Sequence, residues 1–270
     1  MADVVRKIAD RSVRLIARPM AWLYARLYAL ICGSYPNVRP WHYQWRALQP
    51  LHEDLREVLP LLGGRVLVVG RAGLGHRAMI ADAGEVVGVD ESPGPGITLV
   101  VHPGQPWPLP AASFDAQLCI DALVRVADPA HALAEMARVL RPGALVVVRA
   151  PATPSAAAAI GPAGAPLRYY TADGLRQALG AHFTVTTLRR EGGIGSALAL
   201  LILGWMQAWA DKSRVARLLQ AFFLPLWIGF CAALNLAAVI VDAVDPTRAF
   251  YSSTLLVAVR KADDALPPQD

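Results

Sequence analysis

Short apolar runs alternate with more polar stretches through the middle and the end of the chain. The runs predict strands at residues 65–69, 85–89, 97–101, 115–120, 144–149, 183–188 and 254–259. Helices are predicted at 51–59, around 75–82, at 129–140 and at 171–179, with Thr171 and Asp173 as candidate caps of the last one. Apolar strands separated by helices are typical of a parallel sheet that is covered on both faces. The pattern therefore predicts an α/β fold.

Two long apolar runs interrupt this alternation before the last predicted strand. Residues 192–210 and 218–241 carry no charged side chain, and the seven residues between them include Lys212, Arg214 and Arg217. Each run is long enough to cross a bilayer. A spanning hairpin would place the basic connection on the far side of the membrane, against the positive-inside tendency. We therefore expect an apolar helical hairpin that lies in or dips into one leaflet; the alternative is a hairpin buried in the protein or in a homodimer.

The N-terminal part of the chain has a different pattern. Residues 5–31 place apolar side chains on one side of a predicted helix and basic ones on the other, namely Lys7, Arg11, Arg14 and Arg18. Such a helix suits an anionic membrane surface, and the alternative is a helix packed on its own domain with a solvated basic face. Residues 35–50 are rich in proline and aromatic side chains and are predicted to form an irregular linker or lid.

Composition narrows the class of protein. Hydrophobic residues make up 55% of the chain and charged residues 17%, which excludes an intrinsically disordered protein. The net charge is +5, and residues 1–32 alone hold six basic and two acidic side chains. The three cysteines are far apart in apolar stretches, so we expect buried free thiols, a reducing compartment and no secretory signal. The six histidines have no metal-ligand spacing and no nucleic-acid-binding module is visible, so neither a metal nor a nucleic-acid partner is expected.

A glycine turn offers the first candidate binding site. Residues 66–75 are predicted to run from strand through glycine turn to helix, and Asp90 ends the next strand, where a carboxylate can accept ribose hydroxyls. A P-loop is excluded because His76 and Arg77 stand where Lys and Ser/Thr would handle phosphate. The spacing of Gly70, Ala72 and Gly75 approaches a dinucleotide fingerprint, which leaves an NAD-dependent oxidoreductase as a weaker alternative. The third interpretation, binding of S-adenosylmethionine, is favoured by the segment that follows.

That segment carries a family resemblance. Trp107-Pro-Leu109, Ser113-Phe-Asp115 and Glu135-x-x-Arg-Val-Leu-Arg-Pro-Gly143 resemble the class I S-adenosylmethionine-dependent methyltransferases of the type 11 kind, over about residues 64–150. The resemblance implies a Rossmann-like sheet of seven strands, the last of them antiparallel. The N-terminal amphipathic helix and lid would occupy residues 1–45. The methyltransferase-like domain would comprise 46–191 and 251–262, with the apolar hairpin inserted at 192–250, before the last strand.

The resemblance also implies a cofactor site for S-adenosylmethionine. Its expected members are Gly70, Ala72 and Gly73 under the methionine part, Asp90 and Glu91 at the ribose, Trp107, Pro108 and Leu109 near the adenine, and Ile120 facing the transferred methyl group. Candidate bases for the methyl acceptor are Asp121, after the fourth strand, and His42 and Tyr43, in the predicted lid. Every one of the predicted cofactor segments lies at the carboxyl end of a parallel strand, where such sheets bind ligands.

The sequence departs from the family pattern at several positions. Val68 replaces an acidic residue, Ala72 replaces the second glycine, and Val124-Arg125 replaces a Glu-His pair. These losses support an alternative, a catalytically impaired methyltransferase-like protein that serves as a membrane-associated binding or scaffold protein. The preferred interpretation is methyl transfer to a small or lipid-linked acceptor at an anionic membrane surface. We expect the protein on the inner face of the cytoplasmic membrane, with a homodimer as a further expected state.

Overall fold

The computed structural model describes residues 22–80, 83–154, 156–157, 168–247 and 249–262. The first part of the predicted N-terminal helix, residues 5–21, lies outside the described residues. Seven strands form the main sheet: β1 (Gly64–Val69), β2 (Ala83–Asp90), β3 (Leu99–Val100), β4 (Phe114–Ile120), β5 (Leu140–Pro151), β6 (Phe183–Glu191) and β7 (Ser253–Arg260). All seven coincide with predicted strands.

The sheet has the strand order β3-β2-β1-β4-β5-β7-β6. The pairs from β3 to β5 are parallel, whereas β7 runs antiparallel to both β5 and β6. The predicted seven-stranded sheet with an antiparallel last strand is therefore confirmed. The carboxyl ends of β1, β2 and β4 meet at one edge, where the order reverses between β1 and β4, and such a switch point is where open parallel sheets bind ligands.

Helices cover both faces of the sheet. They are α1 (Trp22–Cys32), α2 (Trp45–Val58), α3 (Arg71–Leu74), α4 (Pro129–Val139), α5 (Ala172–Gly180), α6 (Ile194–Lys212), α7 (Arg214–Phe222) and α8 (Leu224–Val244), with single 3-10 turns at Leu59–Leu61 and Arg77–Met79. Successive strand side chains point to opposite faces. Val66 and Val68 accordingly pack into one core cluster with Leu51 of α2, and Leu67 packs into the other with Met136 of α4.

Two helices near the N-terminus differ from the prediction. α2 begins at Trp45, so residues 45–50 are helical rather than part of an irregular linker. Pro50 lies inside the helix and removes one backbone hydrogen bond, but the burial of Leu48, Leu51 and Leu55 outweighs that loss. The helix expected around 75–82 is instead α3, which ends at Leu74, followed by a 3-10 turn. The predicted cap of α5 is confirmed at Thr171, whose side chain accepts the N–H of Gly174 at 3.1 Å.

The apolar insertion is a group of three helices, not a two-helix hairpin with a loop. Its connection forms α7, capped by the Ser213 side chain, which accepts the N–H of Ala216 at 3.2 Å, and the second apolar run divides at Phe223. α6 and α8 are both long and apolar enough to cross a membrane, by length and composition only. The three cysteines are free and buried, as predicted.

Polar contacts fix the insertion to the domain. The Asn235 amide in α8 donates to the backbone carbonyls of Pro40 at 2.7 Å and His42 at 3.0 Å. About two turns further along α8, Asp242 forms an ion pair of 2.8 Å with Arg46 of α2, which also donates to the Ser196 hydroxyl of α6. α8 therefore lies against the domain along its second half.

Candidate functional site

A cleft opens at the carboxyl ends of β1, β2 and β4. It is lined by residues of the glycine turn, of the β2 end and of the segment after β4, together with Trp107 and part of α4; the members are Val69, Gly70, Arg71, Ala72, Val89, Asp90, Glu91, Ser92, Val101, His102, Pro103, Trp107, Ile120, Asp121, Ala122, Arg125, Val126, Asp128, His131 and Ala132. Six of the nine predicted cofactor residues are in this set.

Gly70 brings the turn close to the end of β4. Its φ is +84°, which favours glycine, and a Cβ added there would lie 2.6 Å from the Cβ of Ala122. Its N–H donates to the carbonyl of Val89 at 2.8 Å. The turn is therefore joined to β2 and pressed against the segment after β4, which leaves its backbone facing the cleft.

Asp90 is held at the cleft wall by backbone donors. One carboxylate oxygen accepts the N–H of Arg71 at 3.2 Å and the other accepts the N–H of Ser92 at 2.9 Å. The side chain remains 21% exposed, so its oxygens have lone pairs left for hydroxyls of a ligand. The Arg71 guanidinium lies 3.8 Å away and is a competing partner for that carboxylate.

Trp107 forms the opposite wall, and the Glu-x-x-Arg motif of α4 holds it there. Its backbone N–H donates to Glu135 at 2.6 Å, while Arg138 donates to the carbonyls of Trp107 at 2.9 Å and Leu109 at 3.0 Å. Arg138 and Glu135 are themselves paired at 2.8 Å, and this hydrogen bond, more than any other contact, lowers the pKa of Glu135. The motif thus fixes the segment that carries the indole.

Asp121 follows β4 directly and is buried. Its φ of +53° is unusual for a non-glycine residue, and its N–H donates to the carbonyl of Arg149 at 2.9 Å. One carboxylate oxygen accepts from the Arg149 guanidinium at 2.6 Å. The second has no hydrogen-bond partner among the described residues. Burial raises the pKa of this carboxyl, and Arg149 opposes the rise.

A second cavity of about 260 Å³ adjoins the cleft on the side of α2. Arg71, Ala72, Asp121 and Arg125 line both spaces, and the second one is closed by Tyr35, Gln44 and Leu48. The Tyr35 hydroxyl donates to the Ala72 carbonyl at 2.7 Å and lies 3.2 Å from the Nε2 atom of His76. The N-terminal segment therefore covers the glycine turn as a lid, and Asp121 stands where the two spaces meet.

The structure does not bring His42 and Tyr43 to either cavity. The two rings stack on each other at 4.8 Å beside Tyr28, within the aromatic cluster that packs on α8. The Nδ1 atom of His42 accepts the N–H of Gln44, and burial lowers its pKa to about 4. The lid residues at the cavity are instead Tyr35 and Gln44, which the aromatic pattern of the segment could not single out.

Three predicted cofactor residues do not line the cleft. Gly73 packs under the turn, where an added Cβ would lie 2.7 Å from Val68. Pro108 is exposed, and Leu109 packs against the core. Sequence reasoning missed Arg71, Arg125 and His131. His131 lines the cleft with its Nε2 atom 2.8 Å from the Gln105 carbonyl. In the described part of the chain, no group of three or more His, Cys, Asp or Glu side chains could hold a metal ion.

Comparison with known proteins gives the following. Residues 69–148 match the family model of the methyltransferase domain. No curated protein sequence matches the chain. Similar solved structures include an S-adenosylmethionine-dependent methyltransferase from Mesorhizobium loti, at 18% identity and TM-score 0.48, over 81% of this chain and 98% of that one. A putative methyltransferase in complex with its Trm112 activator from Haloferax volcanii is similar at 16% identity and TM-score 0.47, over 82% and 97%. The [4+2]-cyclase SpnF is similar at 19% identity and TM-score 0.48, over 80% and 83%.

The residues at the cleft fit the cofactor of that family. Asp90 presents a carboxylate to a ribose, Trp107 offers a flat apolar wall to an adenine, and the backbone at Gly70 leaves room for close approach of a ligand. The matched segment begins in β1 and ends in β5, so it contains all three of these residues. Over residues 69–148 the chain therefore matches a methyltransferase domain, and the residues that line its cleft fit S-adenosylmethionine.

Proposed function

We propose that the protein methylates a small or lipid-linked acceptor at an anionic membrane surface, on the inner face of the cytoplasmic membrane. The observation that carries this proposal is the set of large apolar side chains left exposed on α1, α6, α7 and α8. Its most exposed members are Trp22, Leu30, Leu201, Trp205, Trp209, Val215, Phe222, Leu226, Leu236, Ile240 and Val244, here called the apolar face. Apolar surface of this extent marks a partner or a membrane.

The orientation of α8 favours a helix that lies along the membrane over one that crosses it. Its domain-facing side holds the polar Asn235 and the ion-paired Asp242, whereas Leu226, Leu236 and Ile240 point outward. A surface helix of a water-soluble domain has the opposite arrangement, with its apolar side inward. A helix attached to its domain on one side and apolar on the other suits insertion into one leaflet.

The second cavity, here called the acceptor cavity, and the apolar face share a structural element. The segment between α1 and α2 supplies Tyr35 and Gln44 to the wall of the second cavity. The same segment offers its Pro40 and His42 carbonyls to Asn235 of α8. This continuity supports entry of the acceptor from the lipid side and its binding beside Asp121.

The chemistry of the site is mainly positioning. When bound, S-adenosylmethionine supplies an activated methyl group. The glycine turn, Asp90 and Trp107 orient it at the carboxyl edge of the sheet, and the lid through Tyr35 excludes water from the turn. Asp121, with one carboxylate oxygen unpaired, is placed to accept the proton of the acceptor's nucleophile.

Membrane binding is tested by cosedimentation with vesicles. The double variant Trp205→Ser/Leu226→Ser removes two of the largest side chains of the apolar face, which are 69% and 70% exposed. We expect its affinity for vesicles containing phosphatidylglycerol to fall by at least about tenfold, since burying each side chain contributes about 1.5–3 kcal/mol. The matched control is Leu61→Ser, at 65% exposure on the 3-10 turn after α2. Equal binding by the double variant and the control would contradict the proposal.

Cofactor binding is tested at Arg138. Arg138→Ala removes two donors to the 107–109 segment and the partner of Glu135, so we expect the affinity for S-adenosylhomocysteine to fall about tenfold, or ~1.4 kcal/mol, by calorimetry. The control is Arg141→Ala, which removes the same charge three residues later, where Arg141 contacts Ala112 and Asp115. Absence of S-adenosylhomocysteine binding by the wild-type protein would instead favour the alternative function, a catalytically impaired methyltransferase-like scaffold protein.

A further inference from the structure

A buried charge network lies behind Asp121. Arg149 of β5 is 1% exposed and donates three hydrogen bonds: to Asp121 at 2.6 Å, to Glu191 at the end of β6 at 2.8 Å, and to the carbonyl of Ala47 in α2 at 2.6 Å. Two carboxylates therefore share one guanidinium inside the protein. Burying an ion costs free energy of desolvation. With both carboxylates ionised, the network of two carboxylates and one guanidinium keeps one uncompensated negative charge.

Each carboxylate also keeps one oxygen without a partner. Neither Asp121 Oδ1 nor Glu191 Oε1 has a hydrogen bond to the described residues, and both atoms are buried. An unsatisfied buried acceptor costs about 1–3 kcal/mol, more for a charged group. Such a cost is relieved when a proton, or the X–H group of a ligand, reaches the oxygen.

The two carboxylates belong to different cavities. Asp121 lines the cleft and the acceptor cavity. Glu191 lines a third cavity of about 280 Å³, which shares no lining residue with the other two. Its polar or charged members besides Glu191 are Arg46, Gln49, Glu53, Asp54, Arg190 and Asp242. Glu191 is thus next to a polar space where it can exchange protons, without access to the acceptor.

We propose that Arg149 and Glu191 are positioning residues for Asp121: Arg149 holds the carboxylate in place, and Glu191 keeps it basic by sharing that guanidinium. The acceptor consequently presents a proton-bearing oxygen or nitrogen to Asp121. This inference rests on the proposed function. The lone pair of that oxygen or nitrogen forms the new bond to the methyl carbon, and the carbon–sulfur electron pair leaves with the sulfur. The X–H proton passes to Oδ1 of Asp121. A preformed thiolate would need no such base.

The sharing of Arg149 explains how Glu191 acts on Asp121. While Glu191 is ionised it competes for the guanidinium, so Asp121 is less stabilised as a carboxylate and is the stronger base. When Glu191 takes a proton, Arg149 is left to Asp121, which becomes the weaker base. Burial raises the pKa of Glu191 to about 7. The other charged or titratable groups facing the network are Arg125 and Tyr35 near Asp121, His76 near Arg149, and Asp54 near Glu191.

The test is a carboxyl titration of the full-length protein by carbon-13 NMR, with the Asp121 signal assigned by its loss in Asp121→Asn. We expect Glu191→Gln to lower the pKa of Asp121 by about one unit, because the variant leaves Arg149 to Asp121 alone. The matched control, Glu53→Gln, removes a carboxylate from the same third cavity without touching Arg149, and the Asp121 signal should stay in place. An Asp121 titration that is unchanged in Glu191→Gln would overturn the inference.

The wild-type protein provides a measurement that does not depend on how the variant folds. Because Glu191 titrates near pH 7, the Asp121 signal should show a second inflection there. A single-step titration of Asp121 would overturn the inference. The experiment needs neither cofactor nor acceptor, so its failure is distinct from that of the proposed function, which fails if S-adenosylhomocysteine does not bind.

Discussion

Replacing Asp121 with asparagine is expected to lower the rate of methyl transfer about 10²–10⁴-fold, the usual contribution of a positioned general base. Asparagine keeps the shape of the side chain and can still contact Arg149, but it cannot take a proton at Oδ1. Since Asp121 takes no part in the hydrogen bonds that hold Asp90 and the Trp107 backbone, the affinity for S-adenosylhomocysteine should stay within about threefold.

The measurement follows labelled methyl groups from S-adenosylmethionine into vesicles made from a total membrane lipid extract, and into the soluble fraction. The matched variant is Tyr43→Phe, which removes the hydroxyl of one of the two candidate bases in the predicted lid. The structure places Tyr43 in the aromatic cluster on α8, so this variant should transfer methyl groups at the wild-type rate. Loss of activity in Tyr43→Phe together with full activity in Asp121→Asn would reverse the assignment of the base.

The largest effect on stability is expected for Arg149→Met. Removing the guanidinium leaves Asp121 and Glu191 buried without their partner, and breaking a buried ion pair from one side typically costs about 3–5 kcal/mol. The free energy of unfolding in urea measures this loss. The companion protein is the triple variant Asp121→Asn/Arg149→Met/Glu191→Gln, which removes every charge of the network and should recover most of the stability. If the single variant lost less than about 1 kcal/mol, the network would contribute little to folding.

The pH dependence of stability has a defined sign at Glu191. Its pKa is raised in the folded state from an ordinary value of 4.5 to about 7, so between these values the folded protein holds a proton that the unfolded chain has lost. The contribution of this group to the unfolding free energy is therefore greatest below pH 4.5 and declines as the pH rises toward 7. Glu191→Gln should remove that slope.

The sheet could be predicted because strands buried on both faces contain continuous apolar runs, such as Val66–Val69 in β1 and Ala144–Val148 in β5. The α2 start was not predictable in the same way. Pro50 predicts an interruption locally, and only the tertiary burial of Leu48 and Leu51 shows that the helix continues through it. The sequence predicts a connection where the structure has α7, because the basic residues between the two apolar runs interrupt the apolar pattern, although Ser213 is a suitable cap.

Some residues of the site could likewise be predicted from the sequence, and others depend on tertiary contacts. Gly70, Asp90, Ile120 and Asp121 could be placed from sequence since each follows or ends a parallel strand, and these ends meet at one edge. The lid residue could not be chosen, because the side chains of 35–45 have no periodicity that orients them. The contact of Glu191 with Arg149 could not be predicted either. The two residues are 42 positions apart in sequence, and only the β5-β7-β6 strand order brings them together.

The attachment of α8 to the segment between α1 and α2 has a thermodynamic consequence. Asn235 holds the carbonyls of Pro40 and His42, and that segment also forms a wall of the acceptor cavity. Any displacement of α8 on contact with lipid is therefore transmitted to the shape of the cavity. Coupling between two binding events is reciprocal. If a lipid surface raises the affinity of the protein for the acceptor by some factor, the bound acceptor raises the affinity of the protein for that surface by the same factor. Release of the methylated product would then lower the affinity of the protein for the bilayer.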